Sequence, residues 1–355
     1  MIEVFVASTN KYAGKTLVAL GLLDFFKSEG IKAGYFKPIG KNFILKDGEK
    51  VEEDAVLIKE NFSLEDDVSL ICPFSLDKLD YINLYLGKTG GAADTIYRAY
   101  QELKKGKDAV VIGGGQDLFD GFSVGVSNIH FIEKYDLPLL LVDSPVFGEI
   151  NIDMIMAMHD RFKDKLTGII LNNIPPHQID FINKYIVPFL TKQGIKVRGI
   201  IPVNPKLSSL SISEIKDILG GNIICCEGKE GEIIENFMVG AMNVEGALKY
   251  FRSQPNKAVV TGGDRADIQL AALETSTKLL ILTGGLYPNS LIITAAREKN
   301  VPIMVAGDDT LTVVSKMGAA VGKVSIKGTR IGESLSTFNK YIDKTYLKQL
   351  AAQAI

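Results

Sequence analysis

The chain has 355 residues, of which 46% are hydrophobic, so it is long enough for two packed cores and too apolar for a disordered protein. Its 40 basic and 42 acidic residues leave a net charge of −2, with no basic stripe for nucleic acid. There is no signal-peptide pattern, and apolar runs such as LPLLLV at 137–142 are too short to cross a bilayer. We therefore expect a cytoplasmic, two-domain protein without nucleic-acid or membrane partners.

The first residues have the layout of a phosphate-binding loop: an apolar strand at 2–7, a loop at 8–16 that ends in Gly-Lys-Thr, and an apolar helix. In such a loop, backbone N–H groups and the helix N-terminus converge on an anion, Lys15 follows the β- and γ-phosphates, and Thr16 holds Mg²⁺. The strict pattern has glycine where Thr9 stands, so the motif alone is incomplete. Nucleotide binding is favoured because the loop lies between an apolar strand and an apolar helix. The alternative is an ordinary turn with a solvated Lys15.

Further strand-like runs follow this loop, and most are continuous apolar stretches. They lie at 33–38, 109–114, 137–142, 167–172 and 197–202. Continuous apolar runs are typical of strands that a parallel sheet buries on both faces. Helical stretches, for example 90–105 and 177–192, alternate with them. The pattern predicts a doubly wound, mostly parallel α/β domain with its ligand at the carboxyl ends of the strands.

A second, smaller α/β domain is predicted after a charged linker or strand region at 226–236. Its strands are expected at 257–262, 278–284 and 301–306, and its helices near 243–251, 266–275, 289–299 and 309–317. The predicted domains are therefore 1–226 and 236–322, followed by a C-terminal region at 323–355. In that region Ile331, Leu335, Phe338 and Ile342 share one helical face, which we expect to pack on a core or a partner chain.

The histidines and cysteines give little support for a metal site or a nucleophile. His130, His159 and His177 are far apart in sequence and lack zinc-binding spacings. The cysteines are Cys72, Cys225 and Cys226, and the adjacent pair is too constrained for an easy disulfide. We expect surface histidines and reduced core cysteines.

Residues 1–226 resemble the dethiobiotin synthetase family and, more closely, the synthetase-like N-terminal region of long bacterial phosphotransacetylases. The matching runs are STNKYAGKT at 8–16, GYFKPI at 34–39, EEDAVLIKE at 52–60, VVIGGGQD at 110–117 and GIILNNIPP at 168–176. The resemblance implies ATP at the Gly-Lys-Thr loop, Mg²⁺ at Thr16 and Asp54, and adenine against Asn172. The predicted nucleotide contacts are Ser8, Asn10, Lys11, Gly14, Lys15, Thr16 and Asn172.

Lys37 is the second predicted catalytic residue beside Lys15, should the chain be an enzyme. It precedes Pro38, which favours an extended conformation at the end of a strand, where its ammonium can meet a substrate carboxylate or a phosphate. The alternatives are a solvated Lys37 and an Asp54 that only serves the helix dipole. Where the family carries a metal-serving glutamate, this chain has Gly113, and Asp117 can replace it only if the loop bends.

Residues 236–320 resemble the DRTGG domain through runs such as VVTGGDRADIQLAALET, which implies a regulatory or architectural role. Its candidate effector or interface residues are Gly262, Gly263, Asp264, Arg265, Thr283, Gly284 and Gly285. The glycine pairs follow strands and permit close approach of a backbone or a ligand. The alternative is that the glycines only turn the chain and that Asp264 caps the following helix.

The sequence thus predicts a regulatory protein that binds ATP or another nucleotide with Mg²⁺ and modulates acyl-phosphate metabolism. We expect a homodimer or higher homo-oligomer. No acetyl-transferring domain is expected, so the chain by itself is not expected to be an acetyltransferase. One alternative is an ATP-dependent C–N ligase of the dethiobiotin synthetase or cobyrinate amide synthase type, acting on a small acid. Another is a structural dimer with a vestigial loop.

Overall fold

The computed structural model describes residues 1–46, 48–87, 91–146, 148–321 and 329–353. The strands are β1 (Ile2–Ser8), β2 (Ala33–Phe36), β3 (Phe43–Lys46), β4 (Glu49–Glu52), β5 (Ala109–Gly113), β6 (Leu139–Asp143), β7 (Leu166–Ile174), β8 (Val197–Pro202), β9 (Leu210–Ser211), β10 (Asn222–Cys225), β11 (Ile233–Ile234), β12 (Asn236–Val239), β13 (Lys257–Gly262), β14 (Thr277–Thr283) and β15 (Ile303–Val305).

The helices alternate with these strands along most of the chain. They are α1 (Lys15–Ser28), α2 (Glu53–Phe62), α3 (Val68–Ile71), α4 (Lys78–Tyr85), α5 (Ala92–Leu103), α6 (Asn128–Tyr135), α7 (Ile152–Phe162), α8 (Ile179–Phe181), α9 (Val187–Lys192), α10 (Pro205–Ser208), α11 (Ile212–Leu219), α12 (Val244–Phe251), α13 (Ala266–Leu273), α14 (Ser290–Glu298), α15 (Thr310–Val321), α16 (Thr329–Tyr341) and α17 (Lys344–Ala351). A π-helical turn at Ile182–Ile186 joins α8 to α9. None of these helices is long and apolar enough to cross a membrane.

The chain divides into two compact units. The first contains Met1–Val203 together with α16 and α17, and the second begins at Asn204 and contains the elements from α10 to α15. Residues 204–226, which the sequence assigned to the first domain, therefore lie in the second unit. The physical reason is β10, which pairs antiparallel with β15 and forms an edge of the second sheet.

The first unit is built on a six-stranded sheet in the order β2-β5-β1-β6-β7-β8. All of its neighbouring strands are parallel, so the doubly wound α/β prediction is confirmed. The residues of β5 and β6 are buried throughout, as their uninterrupted apolar sequence predicts for strands covered on both faces. The sequence did not predict the β3–β4 hairpin, whose strands are short and largely charged or exposed.

The C-terminal residues form two helices where the sequence predicted one helical face. Phe338 of α16 is fully buried, and a Cβ placed on Gly21 of α1 would lie 2.1 Å from its ring. The absence of a side chain at Gly21 therefore lets α16 pack closely on α1. The N-terminal part of the predicted region, up to residue 328, lies outside the described residues.

The second unit contains a five-stranded sheet in the order β10-β15-β14-β13-β12. All of its pairs are parallel except the one between β10 and β15. One face packs against α12, α13 and α14 through residues such as Phe251, Ile268 and Ile292, and the other packs against α11 and α15. The predicted second α/β domain is confirmed, with β10 and β12 added at its edges.

Replacing Phe338 by alanine removes a buried aromatic ring between α16 and α1 and leaves a cavity. We expect the Phe338→Ala variant to lose about 3–5 kcal/mol of stability in urea denaturation followed by circular dichroism. The exposed neighbour Asn339 provides the control, since Asn339→Ala removes no packing. Equal midpoints for the two variants would contradict the packing of α16 in the core.

Candidate phosphate-binding site

The loop between β1 and α1 lies at the carboxyl edge of the first sheet. Because β1 pairs in parallel with both β5 and β6, the segments that follow these three strands meet at this edge. Ligands of open parallel sheets bind at this edge. The order of the strands therefore brings residues from three distant parts of the sequence around one loop.

Three side chains at the start of the loop hold it in place. The hydroxyl of Ser8 donates to the carbonyl oxygen of Asn10 at 2.6 Å, and Thr9 donates to the carboxylate of Asp143 at the end of β6. Asn10 donates through Nδ2 to the carbonyl oxygen of Ser144 at 2.6 Å. Burial raises the pKa of Asp143, although its hydrogen bond from Thr9 acts against this. From the sequence, Thr9 was noted only as a departure from the strict loop pattern and Asp143 was not named, yet together they tie the loop to β6.

Gly14 is required by both its backbone angle and its surroundings. Its φ is 100°, a left-handed conformation that favours glycine, and a Cβ there would lie 2.0 Å from Nδ2 of Asn172. That nitrogen donates to the carbonyl oxygen of Ala13 at 2.8 Å. Asn172, at the end of β7, thus supports the loop through its amide nitrogen, and its contact with adenine stays a prediction.

Lys15 is the first residue of α1 and folds back over the loop. Its Nζ donates to Oγ of Ser8 at 2.7 Å and to the carbonyl oxygen of Gln116 at 2.9 Å. Burial lowers the pKa of Lys15 to about 8, and the nearby charge of Lys37 adds to this effect. Among the described residues, no side chain caps the N-terminus of α1, so its first N–H groups and this ammonium face the same loop. Lys11, by contrast, is exposed.

A chain of polar contacts runs from the loop to α2. Thr16 donates through Oγ1 to Oδ1 of Asp54 at 3.1 Å, and Asp54 forms an ion pair with Lys37. Lys37 also lies 2.7 Å from Oε1 of Glu52, which is buried. The other oxygen of Glu52 accepts a hydrogen bond from the backbone N–H of Ala55 at 2.8 Å and caps α2. The structure thus brings together the predicted residues Thr16, Lys37 and Asp54.

Glu52 is the residue of this cluster that sequence reasoning missed. The signal was its position at the start of the run EEDAVLIKE, two residues before Asp54 and directly before a helix. Gly40 makes room for it, because a Cβ there would lie 2.5 Å from Cγ of Glu52. An N-cap glutamate is ordinarily a surface residue, so only the fold shows that this carboxylate turns inward.

The charges in this cluster oppose the cost of their own burial. Burial disfavours the ammonium form of Lys37, but Asp54 and Glu52 outweigh it and raise its pKa well above the usual value. Burial likewise favours the neutral acid of Asp54, but Lys37 holds the pKa of Asp54 below its usual value. For Glu52, burial dominates and raises the pKa to about 7, with Lys37 acting against it. The alternative of a solvated Lys37 is therefore wrong, because its ammonium is buried between carboxylates.

Gly113 faces a tyrosine that fills the space beside it. A Cβ at Gly113 would lie 2.2 Å from the hydroxyl oxygen of Tyr35, whose side chain is buried. Burial raises the pKa of Tyr35 well above its usual value, so it remains a neutral phenol. The carboxylate of Asp117 accepts a hydrogen bond from the backbone N–H of Phe119 at 3.0 Å and so closes a turn in its own loop.

The three cysteines were predicted to be reduced core residues, and the structure agrees in part. The cysteines Cys72, Cys225 and Cys226 are free, with Cys225 buried and the other two partly exposed. Within the described ranges, no three histidine, cysteine or acidic side chains form a group suited to a metal ion.

In the second unit, the predicted glycines lie at the carboxyl ends of β13 and β14. Gly284 and Gly285 have φ angles of 78° and 66°, and a Cβ on Gly263 would lie 2.3 Å from the carbonyl oxygen of Leu286. Gly263 therefore permits the close approach of another backbone. The hydroxyl of Thr283 is hydrogen-bonded to that of Thr310 at 2.7 Å.

Arg265 is held within its own loop. Its guanidinium forms hydrogen bonds with Asp267 at 3.1 and 3.2 Å and donates to the carbonyl oxygen of Met242 at 3.1 Å. The alternative that Asp264 caps α13 is wrong, since the N-cap is Arg265 and no side chain caps that helix. The effector or interface role of this loop stays a prediction.

Comparison with known proteins agrees with the geometry of the loop. The sequence profile of the AAA domain matches residues 3–211, which is more than half of the chain. The chain belongs to the AAA-domain family. The profile of the DRTGG domain matches residues 214–320. The resemblance to a dethiobiotin synthetase-like P-loop domain followed by a DRTGG domain is thereby confirmed.

Within this family, similar relatives include two groups of enzymes. The phosphate acetyltransferase of Pseudomonas putida is 24% identical over 368 residues, covering 98% of this chain and 52% of the relative. The ATP-dependent dethiobiotin synthetase of Thermodesulfovibrio yellowstonii is 26% identical over 223 residues, covering 59% of this chain and 92% of the relative. The chain spans about half the length of the phosphate acetyltransferases that it matches.

Two solved structures show weak similarity. The CBS and DRTGG domains of the regulatory region of Clostridium perfringens pyrophosphatase, complexed with the activator diadenosine tetraphosphate, match with a TM-score of 0.30 and 22% identity, covering 41% of this chain and 74% of that one. The MinD cell division protein of Aquifex aeolicus matches with a TM-score of 0.33 and 14% identity, covering 58% of this chain and 84% of that one.

Replacing Gly14 by alanine combines backbone strain with a clash against Asn172. We expect Gly14→Ala to be destabilised by more than the roughly 1–3 kcal/mol that a left-handed non-glycine residue costs. Gly30 is a matched control, since its φ is 72° but nothing lies within 4 Å of its Cβ position. Equal losses in urea denaturation for Gly14→Ala and Gly30→Ala would show that Asn172 does not restrict the loop.

In the second unit, Gly263→Ala tests the close approach of the segment after β14. The added methyl group overlaps the backbone of Leu286, so we expect a loss of about 1–3 kcal/mol in thermal or urea unfolding. Gly307 lies at the same edge of the sheet with nothing within 4 Å of its Cβ position, so Gly307→Ala is the control. A Gly263→Ala variant as stable as this control would speak against the contact.

Proposed function

We propose that the chain binds ATP, or another nucleotide, with Mg²⁺ at the loop of residues 8–16. It then acts as a regulatory protein related to the N-terminal part of phosphotransacetylases and modulates acyl-phosphate metabolism. The observation that carries the proposal is the position of Lys15. Its ammonium lies over the loop, held by Ser8 and by Gln116, while the N-terminus of α1 has no side-chain cap. A polyphosphate complements both groups.

The residues at the loop fit a magnesium ion that accompanies the nucleotide. Thr16 and Asp54 are already linked at 3.1 Å, and they supply the hard oxygen ligands that Mg²⁺ prefers. Bound there, the ion would neutralise phosphate charge. In this arrangement Lys15 orients the phosphates, and the contacts of Thr9 and Asn172 keep the loop in its binding shape.

The ion pairs of Lys37 support regulation over the alternative of a C–N ligase. A ligase of this type needs a cation that is free to receive an acidic substrate, whereas Lys37 is neutralised by Asp54 and Glu52. The family's metal-serving glutamate is also replaced by Gly113, and Tyr35 fills the space beside it. Both observations favour a site that binds a nucleotide without efficient turnover.

The regulatory part of the proposal concerns the second unit and assembly. Its DRTGG domain transmits the nucleotide state to a partner enzyme or to an interface between copies of the chain, and a homodimer is the expected assembly. The support is the family relation to the phosphate acetyltransferases, since nearly the whole chain aligns with about half of these proteins.

Isothermal titration with ATP, ADP, GTP and guanosine phosphates, with and without Mg²⁺, tests nucleotide binding. We expect Lys15→Ala to weaken binding at least tenfold, because a charged hydrogen-bond donor to phosphate contributes about 1.5–3 kcal/mol. Lys27→Ala is the control, since Lys27 lies exposed at the other end of the same helix. Wild-type protein that binds none of these nucleotides would reject the proposal.

Turnover assays separate regulation from ligase activity. We expect no steady ATP hydrolysis when the protein is mixed with a panel of small carboxylic acids and amines. Steady turnover on one of these acids that disappears in Lys15→Ala would favour the ligase instead.

A further inference from the structure

Lys37 lies between two buried carboxylates at the edge of the phosphate-binding site. Its ammonium forms an ion pair with Asp54 and lies 2.7 Å from Oε1 of Glu52. The exposed fractions of the side chains are 8% for Lys37, 2% for Glu52 and 20% for Asp54. The ammonium of Lys37 therefore lies between the two carboxylates and is largely shielded from bulk water.

Both carboxylate oxygens of Glu52 have partners in this structure. Oε2 accepts the N–H of Ala55, which fixes the carboxylate at the start of α2. The buried Oε1 lies 2.7 Å from the ammonium of Lys37, which is its charged partner. A buried carboxylate is costly without a positive partner, so another cation that binds Oε1 takes the place of this ammonium.

Lys37 is the ammonium that lies between the two acidic side chains, and Lys15 adds a second positive charge near Asp54. Lys15 is held on the loop by Ser8 and Gln116 and donates to neither carboxylate in the contacts of the described residues. A divalent cation in the position of the Lys37 ammonium would balance the negative charges of two carboxylates.

The oxygen atoms around this position also suit a hard metal ion. Oδ1 of Asp54 lies 3.1 Å from the hydroxyl of Thr16, so a hydroxyl oxygen joins the carboxylates of Asp54 and Glu52. A lysine ammonium is a compact charge on a flexible four-carbon stem, so it can occupy such a place and leave it. Gly113 supplies no carboxylate from the end of β5, and Tyr35 fills the space beside it.

We propose that the ammonium of Lys37 holds the place of a divalent cation in this site, and that Glu52 joins Asp54 as a ligand of that cation when Lys37 moves out. The inference rests on the proposed function, because the cation is the one that accompanies the nucleotide. In this proposal Glu52 takes the metal-binding role that the resemblance assigns to a glutamate at the position of Gly113.

The Lys37→Met variant tests the exchange with Mn²⁺ alone, without nucleotide. Methionine keeps the apolar stem and removes the competing ammonium, so we expect Mn²⁺ to bind at least tenfold more tightly than to wild type. Binding is measured by electron paramagnetic resonance of free Mn²⁺. Lys41→Met is the matched control, because Lys41 is a similarly placed lysine that pairs with Asp120 instead. Its Mn²⁺ affinity should stay within twofold of wild type.

The Glu52→Gln variant tests the assignment of the second ligand. Glutamine keeps the shape and can still accept the N–H of Ala55, but it loses the charge. We expect Mn²⁺ binding to weaken at least tenfold when this change is made in the wild type and again when it is made in Lys37→Met. Unchanged affinity in both backgrounds would show that Glu52 is not a ligand.

A measurement on unmodified protein protects the test against a variant that fails to fold. In wild type labelled with ¹³C at lysine Cε, the Lys37 signal should shift when Mg²⁺ saturates the site, while the Lys41 signal stays in place. A Lys37 signal that does not respond to saturating Mg²⁺, or a folded Lys37→Met variant with wild-type Mn²⁺ affinity, would overturn the exchange.

Nucleotide binding in EDTA distinguishes this inference from the proposed function. If the exchange is wrong but the proposed function is right, the protein still binds nucleotide in EDTA, and Lys15→Ala still weakens that binding. Absence of nucleotide binding by wild type, together with the expected gain of Mn²⁺ affinity in Lys37→Met, would reject the proposed function and retain the exchange.

Discussion

The parallel pairing of β1 with β5 and β6 is the constraint on which the candidate site depends. The loop after β1 is short and holds Tyr12 at a φ of 59°, in the left-handed region, and much of its support comes from neighbouring strands. Asp143 at the end of β6 anchors its start, Asn172 at the end of β7 anchors its end, and Gln116 after β5 receives Lys15. These three partners are positioned by the strands to which they belong. The shape of the loop therefore depends on the register of the sheet as well as on the sequence of the loop.

The second organising feature is the placement of charge around Lys37. A lysine paired with two carboxylates cannot serve an incoming acid and hold its partners at the same time. Glu52 both caps α2 and contacts Lys37, so the cation exchange that we propose would reach the start of this helix.

The sequence predicted the strands of the first sheet and the three inner strands of the second, because uninterrupted apolar runs leave few alternatives to burial on both faces. It missed β3 and β4 because their residues are half-exposed and charged, and a local hairpin of this kind has no strong periodicity. It also placed the boundary of the first domain too far along the chain, because β10 joins the second sheet through a long-range antiparallel pairing with β15.

Within the site, the predicted residues Thr16, Lys37 and Asp54 do come together, because motifs after neighbouring strands and at helix starts share one edge. Glu52 and Tyr35 were beyond prediction from one sequence. The inward turn of Glu52 depends on the bare backbone of Gly40, and Tyr35 meets Gly113 only through the pairing of β2 with β5. Such contacts leave no local pattern in the sequence.

The phenol of Tyr35 beside Gly113 has a consequence for substitution at this position. A side chain at position 113 would place its Cβ 2.2 Å from the hydroxyl oxygen of Tyr35, so an acidic residue fits there only if the tyrosine moves. A smaller residue in place of Tyr35 would open a void beside the buried strands and lower stability. The side chains that positions 35 and 113 can accept are therefore coupled.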